Sequence, residues 1–437
     1  MAILKAFSLK VWRATRFAVI LLFSACNINA GAYQLFEQDA GQIGVAHAGD
    51  AALNDTAAIE FYNPAGMAFC HHPLLSAGLA YLPLRVHFSG SVGDTPAVDT
   101  SARSITHNFI PNFHIVYPFN NRVVFGLGIN APFGAATEYP GDQPIATAAT
   151  STQLLTINFN PSMAVRMHQN WSFAVGLDIL YADAQYNNAF TDLQLIPAPT
   201  LTNHVTGWGV GWNAGIFYQK NAALRLGLAY RSVVPVTAKG VSTYHETTLH
   251  ETYSNDQLTA QLVFPASVAF SAIQSVDQNT DFLFSLGATF WHRLHNMRLN
   301  GVLLFPHTPA VIILHENYRN TWNAAIGLRY KYSHQWHFKC GLQWDHTPTV
   351  NGMRDVRLPD SNHVLLGLGV HWQWRSRWSF DMGYAHVFAD RSSIDNRNSQ
   401  TVVVNGHPLN NIVRKMFTVG DATVDADVVG VQIQHTL

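Results

Sequence analysis

Three places in the chain carry residue types that could do chemistry. "CHHP" at Cys70–Pro73 offers thiol and imidazole ligands, but zinc sites need two such pairs at finger-like spacing, and no second pair follows. "HETTLHE" at 245–251 lacks the HExxH order that sets two imidazoles on one helix face, and it falls in a predicted surface loop. Asp345 beside His346 would suit acid–base work in a hydrolase, yet no nucleophile or oxyanion donor is singled out with them. With 22 histidines in 437 residues such clusters arise by chance. No glycine-rich phosphate loop occurs. The reading is therefore of a non-enzyme: no catalytic residue, no metal and no cofactor.

Bulk charge excludes further classes. Lys and Arg (26) nearly balance Asp and Glu (27), so nucleic acid is not an expected partner. Charged residues make up only 12% of the chain, about half the usual share. Beyond the N-terminus no apolar run reaches the ~18–20 residues of a membrane helix. The low charge has to be explained by another kind of element.

That element is a strand with two unlike faces. In "NWSFAVGLDILYADA" (Asn170–Ala184), Trp171, Phe173, Val175, Leu177, Ile179 and Tyr181 alternate with mostly small or polar residues, Asp178 among them. "WHFKCGLQWDHTP" from Trp336 and "WSFDMGYAHVF" from Trp378 repeat the pattern, each opening Trp-x-Phe-x-x-Gly after a tight polar turn. A Trp at each strand start suits the aromatic girdle at a membrane surface. Ten steps from Trp171 to Tyr181 at ~3.3 Å give roughly 33 Å. A ~45° tilt reduces this to roughly 23 Å, close to the ~25 Å apolar band of outer-membrane barrels. The apolar faces then meet lipid, and Asp178 points into a wet lumen.

The pattern gives fourteen strands near 74–88, 104–118, 122–133, 153–167, 171–187, 205–219, 222–238, 258–272, 281–300, 319–333, 336–346, 362–374, 377–390 and 426–437. Turns such as 120–121, 168–170, 220–221 and 333–335 are short, whereas 134–152, 188–204, 239–257, 301–318, 347–361 and 391–425 are long. Short turns at one end and long loops at the other describe an all-β, 14-stranded antiparallel transmembrane barrel with periplasmic termini. A soluble sandwich or propeller has no need of this alternation. The last strand ends on Leu437, where such barrels commonly carry an aromatic residue.

Residues 1–30 read as an export signal: Lys5, Lys10, Arg13 and Arg16 precede the apolar run Phe17–Ala25, with Ala30 at the cut. Lipidation at Cys26 and a retained anchor are the alternatives. Cys70 and Cys340 would remain; they could pair in an oxidising periplasm, but are read as two buried free thiols. Residues 31–72 are rich in Ala and Gly, carry Glu37, Asp39, Asp50, Asp55 and Glu60, and lack alternation. A fourteen-strand lumen is too wide for its own side chains to fill, so this segment is read as a plug. The barrel then spans 73–437.

In its order of motifs the chain resembles the FadL/TodX-type outer-membrane transporters of long-chain fatty acids and other hydrophobic compounds. The carriers are "GAYQLFEQ" (31–38), "NPAGM" (63–67), "INAPFGAATEY" (129–139), "GWGVGWNAGIFYQKNAALRLGLAYRS" (207–232), "FPASVAFS" (264–271), "WHFKCGLQWDHTP" (336–348) and "LPDSN" (358–362). Asn362 and His363 depart from an Asp-Arg pair often found there. The resemblance implies an N-terminal hatch inside the barrel, an interior pocket, and sideways release of ligand into the bilayer through a gap in the wall. The hatch turn beside the gap maps onto Asn63, Pro64 and Ala65, and the strand kink that makes the gap onto Pro132 and Gly134. Independently, Pro132 cannot donate to a ladder and Gly134 tolerates a bend, so pairing should fail there unless the strand simply ends.

The resemblance also brings Tyr33 and Leu35 toward the ligand pocket. In the loop 188–204, Phe190, Leu193, Leu195, Ile196 and Leu201 form an unusual apolar load. They are read either as an outer capture groove, binding ligand at ~0.8 kcal/mol per buried CH₂, or as a self-packed loop. The expected activity is passive uptake of long-chain fatty acids by a monomer set in outer-membrane lipid and lipopolysaccharide. Carriage of aromatic hydrocarbons, an outer-membrane hydrolase and a surface adhesin are the alternatives.

Overall fold

The computed structural model describes residues 32–94, 96–189 and 198–437; the expected export signal and the Cys26 alternative lie outside them. Fourteen wall strands follow in chain order. They are β1 (Leu74–Val92), β2 (Val98–Pro118), β3 (Val123–Asn130, resuming at Gly134–Glu138), β4 (Ser151–Arg166) and β5 (Trp171–Ala189). Next come β6 (Thr200–Gln219), β7 (Leu224–Arg231 and Val234–Glu246), β8 (Glu251–Phe264 and Ser267–Ser275) and β9 (Thr280–Thr289 and Asn296–Phe305). The ring ends with β10 (Thr308–His315 and Thr321–Lys331), β11 (Trp336–Asp345), β12 (His363–Arg375), β13 (Trp378–Ala389) and β14 (Thr418–Thr436). Each pairs antiparallel with its neighbour, and β14 closes on β1, Leu74 opposite Thr436 and Val92 opposite Thr418. Closure removes the two free edges that an open sheet would present to lipid.

The strand faces are sorted as a membrane barrel requires. On β5, Trp171, Phe173, Val175 and Leu177 are exposed, while Ser172, Ala174, Gly176 and Asp178 are buried on the inner side. Cys340 shares the outer face of β11 with Trp336, Phe338 and Leu342. It is exposed rather than buried, because the period of two puts it outside; Cys70 is buried, and both are free thiols.

The interior is filled by residues 32–73. Two short helices, α1 (Ala40–Ile43) and α2 (Ile59–Tyr62), alternate with 3₁₀ turns at Asp50–Ala52 and Pro64–Phe69. Asp39 caps α1 by accepting from the Gln42 N–H at 3.1 Å. The segment touches wall strands on every side of the ring. A methyl group added at Gly227 of β7, Gly341 of β11 or Gly383 of β13 would collide with the carbonyl oxygens of Ala51, Val45 and Ala40. Those three glycines exist because backbone meets backbone there.

Buried ions tie the segment to the wall. Arg329 of β10 bridges Asp281 of β9 at 2.8 Å and Asp55 of the segment at 2.6 Å, and Glu60 of the segment lies 3.3 Å from His114 of β2; Lys339 meets Asp381 at 2.7 Å within the wall itself. Asp178 points inward as expected, but not into water. It pairs with Arg231, accepts from Asn158 and Asn213, and is 2% exposed. The plug displaces the water that an open lumen would have supplied.

Partway along their length β7 to β10 all interrupt at one level: Ser232–Val233, Pro265–Ala266, 290–295 and 316–320. Above it the hairpin of β9 and β10 leans over the lumen. Val302, Leu303 and Leu304 are buried, and the Leu303 N–H donates to Ser242 at 2.8 Å. Removing one partner of a buried pair strands the other. Arg231→Met should therefore cost about 3–5 kcal/mol, read as earlier urea unfolding in lipid vesicles. Arg231→Met with Asp178→Asn should recover most of it, and equal losses in the two variants would contradict the pairing.

Candidate functional site

The wall is interrupted between β2 and β3. Their ladder ends at Phe113 opposite Ile129, and β3 then leaves the sheet over 131–133, where Pro132 has no N–H to give. It resumes at Gly134, opposite Leu155 of β4. The upper half of β2 keeps its pairing with β1 and loses it on the β3 side. Tyr139 and the turn Pro144–Thr147 pack behind the gap among Leu82, Leu84 and Ile110.

The groups freed by the break are taken up by the N-terminal segment. The Leu35 N–H donates to the Pro132 carbonyl at 2.8 Å, and the Gly134 N–H donates to the Tyr33 carbonyl at 2.8 Å, around an antiparallel bridge between Gln34 and Phe133. The Gln38 side chain does the same for Ala131: its Nε2 donates to the carbonyl at 2.8 Å and its Oε1 accepts the N–H at 3.2 Å. Thr156 of β4 accepts from the Phe133 N–H at 3.0 Å and donates to its carbonyl at 2.6 Å. Residues 33–38 thus replace a stretch of missing strand.

Two cavities meet at this patch. The upper has a volume of about 130 Å³. Its wall is mainly apolar, with Leu154, Val205, Leu262, Phe264, Leu294, Met297, Leu299 and Leu314, and it is roofed by Met353 to Leu358 of the loop after β11. Its polar end holds Glu316, Arg354, Asp355 and Arg357. The Arg357 guanidinium lies 3.7 Å over the Tyr186 ring and 3.6 Å from Asp355. Buried as it is, its Nε and Nη2 find no hydrogen-bond partner among the described residues. The floor is aromatic: Tyr33 stands 4.7 Å from Trp291, 6.1 Å from Phe133 and 6.3 Å from Phe264, and Phe133 is 4.8 Å from Phe264. Beneath lies the lower cavity, bordered by Leu35, Phe36, Phe61, Pro64, Pro132, Phe133 and Arg231. In it burial pushes Asp50 up to about 6 against the opposing pull of His47, 3.4 Å away.

The sequence-derived residues fall around this axis. Tyr33 lines the upper cavity and Leu35 the lower. Leu201 is buried in the β6 wall, in the apolar cluster that surrounds the upper cavity. Phe190, Leu193, Leu195 and Ile196 lie outside the described residues. Pro132 sits in the break and Gly134 begins the strand beyond it. The turn Asn63–Ala65 packs on β5 to β7: the Asn63 amide donates to Ile216 and Ala51, and Ser172 donates to the Ala65 carbonyl. Pro64 shares the lower cavity with Pro132. Gln38, Phe133, Phe264, Trp291 and Arg357 were not singled out from sequence. The loop 347–361, read as external, folds inward instead, where Asp360 accepts from the Ala32 N–H at 3.1 Å.

A family model described as outer membrane protein transport protein (OMPP1/FadL/TodX) matches residues 21–436. The chain belongs to this family. It is 27% identical over 422 residues to the long-chain fatty acid transport protein of Escherichia coli K12, covering 86% of this chain and 92% of that one. It is also 27% identical to outer membrane protein P1 of Haemophilus influenzae, covering 87% and 90%. Among solved structures, a Pseudomonas aeruginosa FadL homologue superposes with a TM-score of 0.81 at 20% identity, covering 93% of this chain and all of that one. The Ralstonia pickettii toluene transporter TbuX does so at 0.66 and 17%, covering 92% and all. This FadL-family chain is thus an outer-membrane transport protein of a Gram-negative bacterium rather than an enzyme.

Gln38→Leu would strand both backbone groups of Ala131, at about 1–3 kcal/mol each. Amide exchange at Ala131 should speed up by at least tenfold while β1–β14 exchange is unchanged. Unchanged exchange at Ala131 would show that the amide does not hold the break.

Proposed function

We propose that this FadL-family chain carries long-chain fatty acids passively from outside, through the upper cavity, and sideways into the bilayer at the β3 break. The observation that carries the reading is Arg357: a buried guanidinium with two unsatisfied donors at one end of an otherwise apolar cavity. A carboxylate head fits those donors as a charge-assisted pair, and an acyl tail fits the leucine and aromatic wall at ~0.8 kcal/mol per buried CH₂. Several relatives are long-chain fatty acid transport proteins, which supports the same ligand class.

Tyr33, Leu35 and Phe133 form the partition between this cavity and the break. Displacing residues 33–38 would join the cavity to the gap between β2 and β3, with Asn63, Pro64 and Ala65 holding the hatch on the far side of the lower cavity. Outer capture in this scheme is assigned to Phe190, Leu193, Leu195 and Ile196, which lie outside the described residues, while Leu201 belongs to the apolar cluster around the upper cavity. A neutral aromatic hydrocarbon is the second reading, favoured by the aromatic floor alone; it would make no use of Arg357.

The test is uptake of labelled oleate by cells that lack their own fatty-acid transporter and express this chain. Uptake should be restored, and Arg357→Leu should reduce oleate binding to the purified protein by 10-fold or more while sparing toluene. Binding of oleate unaffected by Arg357→Leu would remove the head-group assignment. Toluene binding without oleate uptake would select the second reading.

A further inference from the structure

The barrel wall has a second interruption, far round the ring from β3. The lower halves of β8 and β9 pair from Ser275 opposite Asp281 up to Ser267 opposite Thr289. Their upper halves form ladder pairs only at Thr259 opposite Asn300 and Ala260 opposite Leu299, with the Asn255 side chain donating to the Gly301 carbonyl at 2.6 Å beyond them. Between these points Gln261–Ala266 faces 290–298, and one backbone bond crosses, from the Phe290 N–H to the Ala266 carbonyl at 2.8 Å. The hairpin of β9 and β10 leans inward over the lumen, and in doing so it draws β9 away from its neighbour.

Side chains, not a ladder, therefore close the seam, and they are those of the upper cavity. Leu262, Val263 and Phe264 from β8 and Leu294, Met297 and Leu299 from β9 all line it. Val263 and Met297 are only partly buried, so the cavity approaches the surface here through two movable apolar groups. The exposed rim is cationic: Arg293 and Arg298, with His292 and His295, stand on the outer side of the same stretch. The lipid-facing apolar side chains of β9, Phe282 and Leu286, lie on the periplasmic side of the seam. That order along the strand puts the rim at head-group level.

We propose that the β8–β9 seam is an entry portal for an anionic long-chain amphiphile, a fatty carboxylate held at the membrane surface. The carboxylate rests on Arg293 and Arg298 while the tail passes between Val263 and Met297 into the upper cavity. The chemistry is complementary at both ends: cations where the head lies, apolar side chains without intervening backbone bonds where the tail must pass. The proposal rests on the transport reading and adds a route of entry distinct from exit at β3.

The test uses Met297→Cys as the single thiol among the described residues, in a chain carrying Cys70→Ala and Cys340→Ala. On purified protein, oleate should slow modification of the thiol by a bulky maleimide at least fivefold, and Arg293→Glu with Arg298→Glu should abolish that protection. An oleate-independent modification rate would overturn the portal. In cells, attaching the maleimide at residue 297 should cut oleate uptake at least fivefold, whereas the same label at His407→Cys should not. Full uptake with residue 297 fully labelled would also overturn it. If the unlabelled protein took up no oleate, the transport reading would fail, and the protection measurement would still decide the portal.

Discussion

A backbone hydrogen-bonding group cannot be left bare in hydrocarbon. Once Pro132 breaks β3, the carbonyls and N–H groups of 131–134 must find partners or the wall fails. The partners come from inside: Tyr33, Leu35 and the Gln38 amide. This requirement fixes where the N-terminal segment begins its path through the lumen. The rest of that path follows from backbone contact with the glycines of β7, β11 and β13 and from buried pairs such as Glu60 with His114.

In the proposed route the same bonds would couple closure to transport. A ladder between neighbouring wall strands is long and cooperative, as in the nineteen register pairs of β1 with β2. The cover over the β3 break consists of a few bonds from a short segment. The weak place in the wall is therefore local, and it lies directly under the aromatic floor of the apolar cavity. A ligand that disturbs Tyr33 acts on the group whose carbonyl accepts from Gly134. The aromatic floor and the wall cover are one structure read from two sides.

Much of this was legible in the sequence because a membrane barrel reverses the usual burial rule without changing the period. Trp171, Phe173 and Val175 announce strand, length and outer face together, and each of the fourteen wall strands overlaps its predicted segment, although β7 to β10 and β14 run on into stretches read as loops. Asp178 was legible as inward but not as dry, since the pairing with Arg231 joins residues 53 apart. Cys340 was misread as buried although its own alternation with Trp336 and Phe338 assigns it outward. The cavity was least legible. Its wall draws on seven strands and on the inward loop 347–361, and nothing local in "NGMRDVRLPD" distinguishes an inward loop from an external one. Arg357 gains its meaning only from Tyr186 and the apolar wall around it.

The central claim is that residues 33–38 must leave the β3 break for ligand to pass. The direct measurement is oleate uptake with that segment tethered, using a disulfide between Gln34→Cys and Phe133→Cys, the pair bridged across the break, in a chain with its other cysteines replaced. The account predicts background uptake when the disulfide is formed and full recovery on reduction. Equal uptake in the oxidised and reduced protein, with the disulfide shown to be complete, would contradict it.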